Sequence, residues 1–313
     1  MAYGTPTGPG DIANFYTDVR RGRPPTPEQL ANLELRYQTI GGLSPLLART
    51  KAQIGALDHA LEEISPGEFS TFYGAKHSAP KIETTIDLIA KQGFTHLIGL
   101  VLAPHYSVLS VGEYIDRARR RAGELEIECT FIERWGADHE LIDLLAGRLR
   151  ATIGEIAERC SNFEVIFSAH SLPARVVELG DRYQDELAET AKLVASSVGL
   201  SHFRTGWQSA GRTPEPWLGP DLLTLLDQLR AESFDGVIVC PAGFTSDHLE
   251  ILYDLDIEAA NRAGEIGLAF ARTASLNDDP GLASLLARRV VAARETFNLT
   301  TGIFTTGICT TGH

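Results

Sequence analysis

Two stretches of this sequence set acid–base and metal-ligating groups directly after apolar runs. Phe167-Ser168-Ala169-His170-Ser171-Leu172-Pro173 follows Val165-Ile166, and Cys240-Pro241-Ala242-Gly243-Phe244-Thr245-Ser246-Asp247-His248-Leu249-Glu250 follows Val237-Ile238-Val239. If the runs are parallel strands, both segments lie at carboxyl ends, where doubly wound sheets bind their ligands. A neutral imidazole facing a carboxylate can hold a divalent transition metal or pass protons, since histidine titrates near neutrality and both groups offer lone pairs. Plainer uses exist for each. His170 can bond a nearby backbone carbonyl, and Glu250 can serve as the third residue of a helix capped by Asp247, a capping-box-like start. One carboxylate serves both duties only with difficulty.

Acids continue along the same segment as Glu250, Asp254 and Glu258. Steps of four residues drift by only about 40° around an α-helix, so the three form a column on one face. On a solvated face such a column is mildly repulsive and means little. Facing a cleft, it attracts a hydrated cation and accepts the protons that cation displaces, and a π-bulge would align the three better. Leu249, Ile251, Leu252, Leu255 and Ile257 supply an apolar face for burial.

The elements that must position these groups alternate between short β-branched or aromatic runs and amphipathic stretches, the pattern of parallel βαβ units. Strands are expected near 68–74, 95–103, 126–133, 163–169, 202–208, 235–241 and 266–272. Helices are expected near 27–40, 45–63, 80–92, 138–158, 181–198, 219–232, 248–262 and 280–297. Thr26-Pro27-Glu28 gives an N-cap threonine with proline at the first helical position, and Ser44-Pro45 repeats the device. The count fits an α/β chain of two doubly wound halves, 1–150 and 151–313, packed around a cleft. Tyr3-Gly4-Thr5-Pro6 reads as the end of a first strand with only two residues before it, so that strand is expected to be truncated.

Composition narrows the function. With 28 Lys and Arg against 41 Asp and Glu, the net charge is −13. Nucleic acid is therefore an unfavourable partner, because binding along phosphates needs clustered cations. No apolar stretch reaches the ~18–20 residues of a membrane helix, and the start lacks the regions of a signal peptide, so a cytoplasmic protein is expected. Cys129, Cys160, Cys240 and Cys309 include no C-x-x-C pair, which argues against a zinc knuckle or a disulfide framework. Cys129 and Cys240 sit in apolar runs, where a small buried hydrophobe is the expected role. No G-x-G-x-x-G follows a strand, and there is no P-loop, H-E-x-x-H or G-x-S-x-G.

Taken together, the motifs resemble those of the ferrochelatase family, most of all its coproporphyrin III branch. They are Met1-Ala2-Tyr3-Gly4-Thr5-Pro6, Val19-Arg20-Arg21-Gly22-Arg23, Arg36-Tyr37-Gln38-Thr39-Ile40-Gly41-Gly42-Leu43-Ser44-Pro45-Leu46, Gly74-Ala75-Lys76-His77, Ala103-Pro104-His105-Tyr106-Ser107, Ser168 to Pro173, Trp207-Gln208-Ser209, Pro216-Trp217-Leu218-Gly219-Pro220 and Ser246 to Asp256, in family order. The resemblance implies two Rossmann-like domains of doubly wound parallel sheet with a porphyrin cleft between them, and insertion of Fe²⁺ into coproporphyrin III for heme synthesis. It implies no cofactor beyond the substrate iron. His170 and Glu250 match the catalytic, metal-handling pair, and Asp254 and Glu258 match an accessory acidic ladder. Tyr3 matches a tyrosine on the opposite face of the ring. Arg20, Arg36, Tyr37, Ser44 and Tyr114 match residues that contact the tetrapyrrole and its propionates, the arginines offsetting an otherwise unfavourable acidic field. His77 matches a further cleft histidine of open role.

Tyr3 carries the choice of branch, because protoporphyrin-type enzymes tend to have methionine there. Some relatives hold a [2Fe–2S] cluster through cysteines near the C-terminus. Here only Cys309 lies there, so no cluster is expected. A monomer in transient contact with neighbouring heme-pathway enzymes is the expected state. The competing readings are a protoporphyrin IX ferrochelatase, another tetrapyrrole metal chelatase, a tetrapyrrole carrier without turnover and a two-domain binding protein for a sugar or other metabolite.

Overall fold

The β-branched runs become parallel strands in a computed structural model that describes residues 1–211 and 213–298. They are β1 (His96–Leu100), β2 (Glu128–Ile132), β3 (Phe163–His170), β4 (Arg204–Gln208), β5 (Gly236–Cys240) and β6 (Ala269–Arg272). β1 and β2 pair in the first half, and β4-β3-β5-β6 form a four-stranded sheet in the second, every pairing parallel. All five residues of β5 are buried. Helices on both faces exclude water from such a strand, which explains its unbroken Gly-Val-Ile-Val-Cys run.

Strand order fixes where a ligand can go. From β3 the chain moves outward to β4 and then returns across β3 to β5, so the direction of winding reverses between β3 and β5. At that reversal the loops after the two strands part and leave a crevice. His170 is the last residue of β3 and pairs with Gln208 at the end of β4, while β5 leads into the segment that carries Glu250.

Several local signals act as read. Thr26 caps helix Pro27–Thr39 with the full reciprocal box: its hydroxyl accepts from the Gln29 amide at 3.2 Å, and the Gln29 side-chain oxygen accepts from the Thr26 amide at 3.0 Å. Helix His139–Ala157 runs through residue 150, and helix Pro280–Asn298 returns to pack against helix Leu46–Ile64 of the first half. One apolar core accordingly reaches from Leu57, Leu61 and Leu100 to Val165 and Phe167. Cys240 is buried and its thiol is pushed up to about 12 by that burial. Cys129 and Cys160 are half-buried, and Cys309 lies outside the described residues.

Three expectations are corrected. The segment expected as a strand at 68–74 is not a regular one. Its end instead meets the chain start, where Ala2 bridges Ala75 in parallel fashion. Helix Val111–Glu124, which the sequence reading passed over, buries Val111, Tyr114, Ile115, Ala118 and Ala122 beneath a charged outer face. The helix after β5 starts from His248, not Asp247, and no capping box forms there. The Asp247 carboxylate is already taken by Ser275 at 2.7 Å, Asn277 at 3.0 Å and Arg272 at 3.4 Å.

Candidate active site

Glu250 is thereby released from capping, and it lies between two imidazoles. Its Oε1 is 3.5 Å from Nε2 of His170, and its Oε2 is 3.5 Å from Nε2 of His248. Each ring is oriented by a carbonyl on its other nitrogen: Nδ1 of His248 donates to Ser246 at 2.9 Å, and Nδ1 of His170 donates to Ser171. Both Nε2 atoms therefore face the carboxylate. The backbone is braced as well. Gln208 donates to the Glu250 carbonyl at 3.0 Å and accepts from Ser168 at 2.9 Å, while the Tyr183 hydroxyl donates to the His170 carbonyl at 3.0 Å.

This cluster forms part of the wall of a cavity of about 570 Å³. Tyr3, His77 and Tyr114 come to the same cavity from the first half. Tyr3 exposes 41 % of its surface. That surface faces the cleft, and the enclosing protein together with the Glu250 charge raises its phenol well above the usual value. Its ring lies 4.6 Å from that of His77, whose Nδ1 is 2.7 Å from Asp18. Burial lowers the His77 imidazole to about 4 despite that carboxylate, so His77 is neutral at pH 7.

Charge state differs from the neutral imidazole expected at His170. Burial alone would lower its pKa, but the Glu250 carboxylate, the Ser171 carbonyl and Asp254 outweigh that and raise it to about 9. Burial pushes Glu250 the other way, yet the two histidines hold its carboxyl well below the ordinary range. In the free protein the pair is an imidazolium and a carboxylate.

The acidic column is present, and its helix changes pitch: Leu249–Leu252 is α-helical and Asp254–Ala259 is a π-helix. Asp254 is buried, accepting from Ser209 and from Arg36, the latter at 3.2 Å. Burial first, then the charge on Glu250, brings its carboxyl up to about 6, against the opposing pull of Ser209 and Arg36. Glu258 is more exposed and lies 4.0 Å from Arg36.

Not every residue singled out in the sequence reaches the cavity. Arg36 stacks over the Tyr253 ring at 4.6 Å and is turned to the ladder. Arg20 lies 5.5 Å over the Tyr16 ring and donates to the Arg23 carbonyl at 3.2 Å, off the cavity wall. The Ser44 hydroxyl accepts from the Leu46 amide at 3.3 Å at the start of its helix, and Tyr37 is buried, its phenol pushed up to about 12. Among the described residues, Arg21, Lys76, Arg117 and Arg175 are the lysines and arginines that line the cavity. Lys76 meets Glu113 at 2.6 Å and lies 5.0 Å over the Tyr114 ring, while Arg21 meets Glu113 at 2.8 Å. Sequence reasoning gave no role to these cations or to His248, although Lys76 adjoins His77 and His248 stands two residues from Glu250.

The chain is similar to known proteins over most of its length. A family model described as Ferrochelatase matches residues 1–294. A ferrochelatase of Herpetosiphon aurantiacus is 42% identical over 290 residues, spanning 91% of this chain and 95% of its own. The coproporphyrin III ferrochelatase of Bacillus subtilis is 40% identical over 295 residues, spanning 93% and 95%. That of Anoxybacillus flavithermus is 41% identical over 295 residues, spanning 93% and 94%. Among solved structures, SirB from Bacillus subtilis with Fe³⁺ superposes with a TM-score of 0.57 at 16% identity, covering 79% of this chain and 92% of that one, a likeness of fold.

Proposed function

The chain belongs to the ferrochelatase family, and from that premise we propose that it inserts Fe²⁺ into coproporphyrin III, releasing two protons and Fe-coproporphyrin III for heme synthesis. The observation that carries this reading is the approach of His170 Nε2 to Glu250 Oε1, 3.5 Å apart on the wall of the cleft. The halves 1–150 and 151–313 act as the two domains that enclose the ring, with Tyr3 on the face opposite the pair.

The chemistry follows from charge. Fe²⁺ and two pyrrole protons exchange places, so the site must attract a cation and then accept protons. Glu250 is ionised and attracts the metal. The approaching dication repels the His170 proton, which leaves Nε2 a lone pair for iron or for a pyrrole N–H. Asp254, held near neutrality, and Glu258 carry protons away along the π-turn. Two protein donors bind iron loosely enough to surrender it to the four ring nitrogens. Lys76 and Arg21 meet propionates entering the cleft, a role the sequence reading gave to Arg20 and Arg36.

The reaction needs no nucleotide and no [2Fe–2S] cluster, and we take the protein to act as a cytoplasmic monomer in transient contact with neighbouring pathway enzymes. No helix among the described residues is long and apolar enough to cross a membrane. The test is anaerobic Fe²⁺ insertion followed by absorbance, with coproporphyrin III and protoporphyrin IX offered in parallel. Faster turnover of coproporphyrin III is expected. Preference for protoporphyrin IX overturns the branch, and tight binding of both without turnover makes the protein a carrier.

A further inference from the structure

Glu113 stands in the first turn of helix Val111–Glu124, on the wall of the cleft, and holds two cations from elsewhere in the first half. Its Oε2 meets Lys76 Nζ at 2.6 Å, and its Oε1 meets Arg21 Nη2 at 2.8 Å. Arg21 lies just past helix Ile12–Val19 with a left-handed backbone, φ 57°, which a residue with a β-carbon adopts only at some cost. Neighbouring cations have anions of their own: Arg117 grips Glu83 at 2.6 and 2.7 Å, Lys81 meets Asp18 at 2.6 Å, and Arg175 pairs with Glu215. Among the described residues, Glu113 is the carboxylate within ion-pair reach of both Lys76 and Arg21.

The two ion pairs differ in weight. The Arg21 side chain is 70% exposed, so water already serves it and the pairing adds little. The Lys76 side chain is 10% exposed and packs over the Tyr114 ring at 5.0 Å, and burial lowers its pKa even with Glu113 beside it. Stripping the counter-ion from a buried ammonium is strongly unfavourable. Lys76 therefore needs an anion at every stage, and a porphyrin carboxylate can meet it only if Glu113 gives way. Glu113 is placed to do so, because its side chain is 30% exposed on the cleft wall and water can take the carboxylate as it swings off.

Resting on the reading of this cleft as a porphyrin site, we propose that Glu113 is an exchange carboxylate: it fills the Lys76 and Arg21 pocket in the empty cleft, yields it to a propionate of the entering ring, and takes it back as the metallated ring leaves. Metal insertion alters no propionate, so substrate and product both undergo the exchange. Glu113 thereby lowers the affinity of the cleft for carboxylate-bearing rings and speeds their departure. A ring without carboxylates leaves Glu113 where it is. The sign of the effect separates this role from a scaffolding one. Removing a carboxylate that merely held Lys76 in place would weaken porphyrin binding. Removing an exchange carboxylate leaves the empty protein with an unpaired Lys76, a cost that the incoming propionate relieves, and binding becomes tighter.

The test is Soret titration of the full chain and of Glu113→Gln with coproporphyrin III, together with stopped-flow dissociation into an excess of serum albumin. The tetramethyl ester of coproporphyrin III, in the same detergent, is the uncharged control. Glu113→Gln should bind coproporphyrin III about tenfold more tightly, mainly through a dissociation rate about tenfold slower. The ester should bind the two proteins with affinities within about twofold of each other. In a Lys76→Met background the same Glu113→Gln change should shift coproporphyrin III affinity by no more than about twofold, because the buried ammonium it served is gone. Equal or weaker binding of coproporphyrin III by Glu113→Gln overturns the proposal, as does tightening that extends to the ester or persists without Lys76. A wild-type chain whose addition leaves the Soret band of coproporphyrin III unmoved overturns the porphyrin reading and this proposal with it, a failure seen before any variant is made.

Discussion

Arg36 donates to Asp254 at 3.2 Å across 218 positions of sequence, tying helix Pro27–Thr39 to the π-turn behind the catalytic pair. The carboxylate it meets is buried, and its pKa of about 6 is above the ordinary 3.8. An acid raised in this way favours folding only while protonated: its contribution is complete below pH 3.8 and is lost as pH rises through 6. Asp254→Asn should therefore be more stable than the parent at pH 8 by about 1–3 kcal/mol, at about 1.4 kcal/mol per pKa unit. The gap should close by pH 4. Urea melts at the two pH values decide the matter, and a variant that is less stable at pH 8 refutes the account. Iron insertion should fall about tenfold or more, because a proton acceptor is gone.

The pair itself is tested by removal. His170→Ala and Glu250→Ala should each lower insertion by about 10²–10⁴-fold, the usual range for a positioned acid or base. Porphyrin affinity, read from the shift of the Soret band on titration, should stay within a few-fold, because Lys76, Tyr3 and Tyr114 still line the cleft. Unchanged turnover in either variant would falsify the assignment.

Protonation of His170 gives a pH signature. Its pKa rises from 6.5 to about 9 in the folded chain, so the stabilisation from its imidazolium is complete below pH 6.5 and lost as pH climbs through 9. An NMR titration of the His170 ring should show a midpoint near 9. Glu250→Gln removes the charge that lifts it, and burial should then carry the midpoint below 7. A wild-type midpoint near 6.5 would mean that the two groups are not coupled as the geometry requires.

How far the site was legible in the sequence depended on whether its cause was local. The strand-end positions of His170 and Glu250 follow from the apolar runs before them, and the four-residue spacing of Glu250, Asp254 and Glu258 already gave the column. The capping of Glu250 by Asp247 looked equally local. It failed because Ser275, Asn277 and Arg272, about 25 to 30 residues away, compete for the same oxygens. Helix Val111–Glu124 was hidden by Arg117, Arg119, Arg120 and Arg121, although its buried positions keep helical spacing. Nothing near Arg36 in the sequence announces Asp254, and nothing near Lys76 announces Glu113. The first pairing exists only once the halves have folded together, and the second only once the first half has brought residue 76 against helix Val111–Glu124.

That last pairing separates the propionate anchors. Lys76 is 8% exposed, lines the cavity and is shared between Glu113 and the Tyr114 ring, whereas Arg20 is turned to Tyr16 and Arg23 outside it. An anion entering the cleft competes with Glu113 for Lys76, and its binding is felt equally in the ground and transition states. Such uniform binding changes KM and leaves kcat alone. Lys76→Met should therefore raise KM for coproporphyrin III about tenfold with kcat within about twofold, equivalent to about 1.4 kcal/mol of lost binding. Arg20→Ala should move neither constant by more than about twofold. Steady-state insertion assays with both variants distinguish the two arginine and lysine assignments. A large rise in KM for Arg20→Ala with none for Lys76→Met would mean that the porphyrin draws Arg20 into the cleft on binding, and that the propionates are held by the residues the sequence resemblance first suggested.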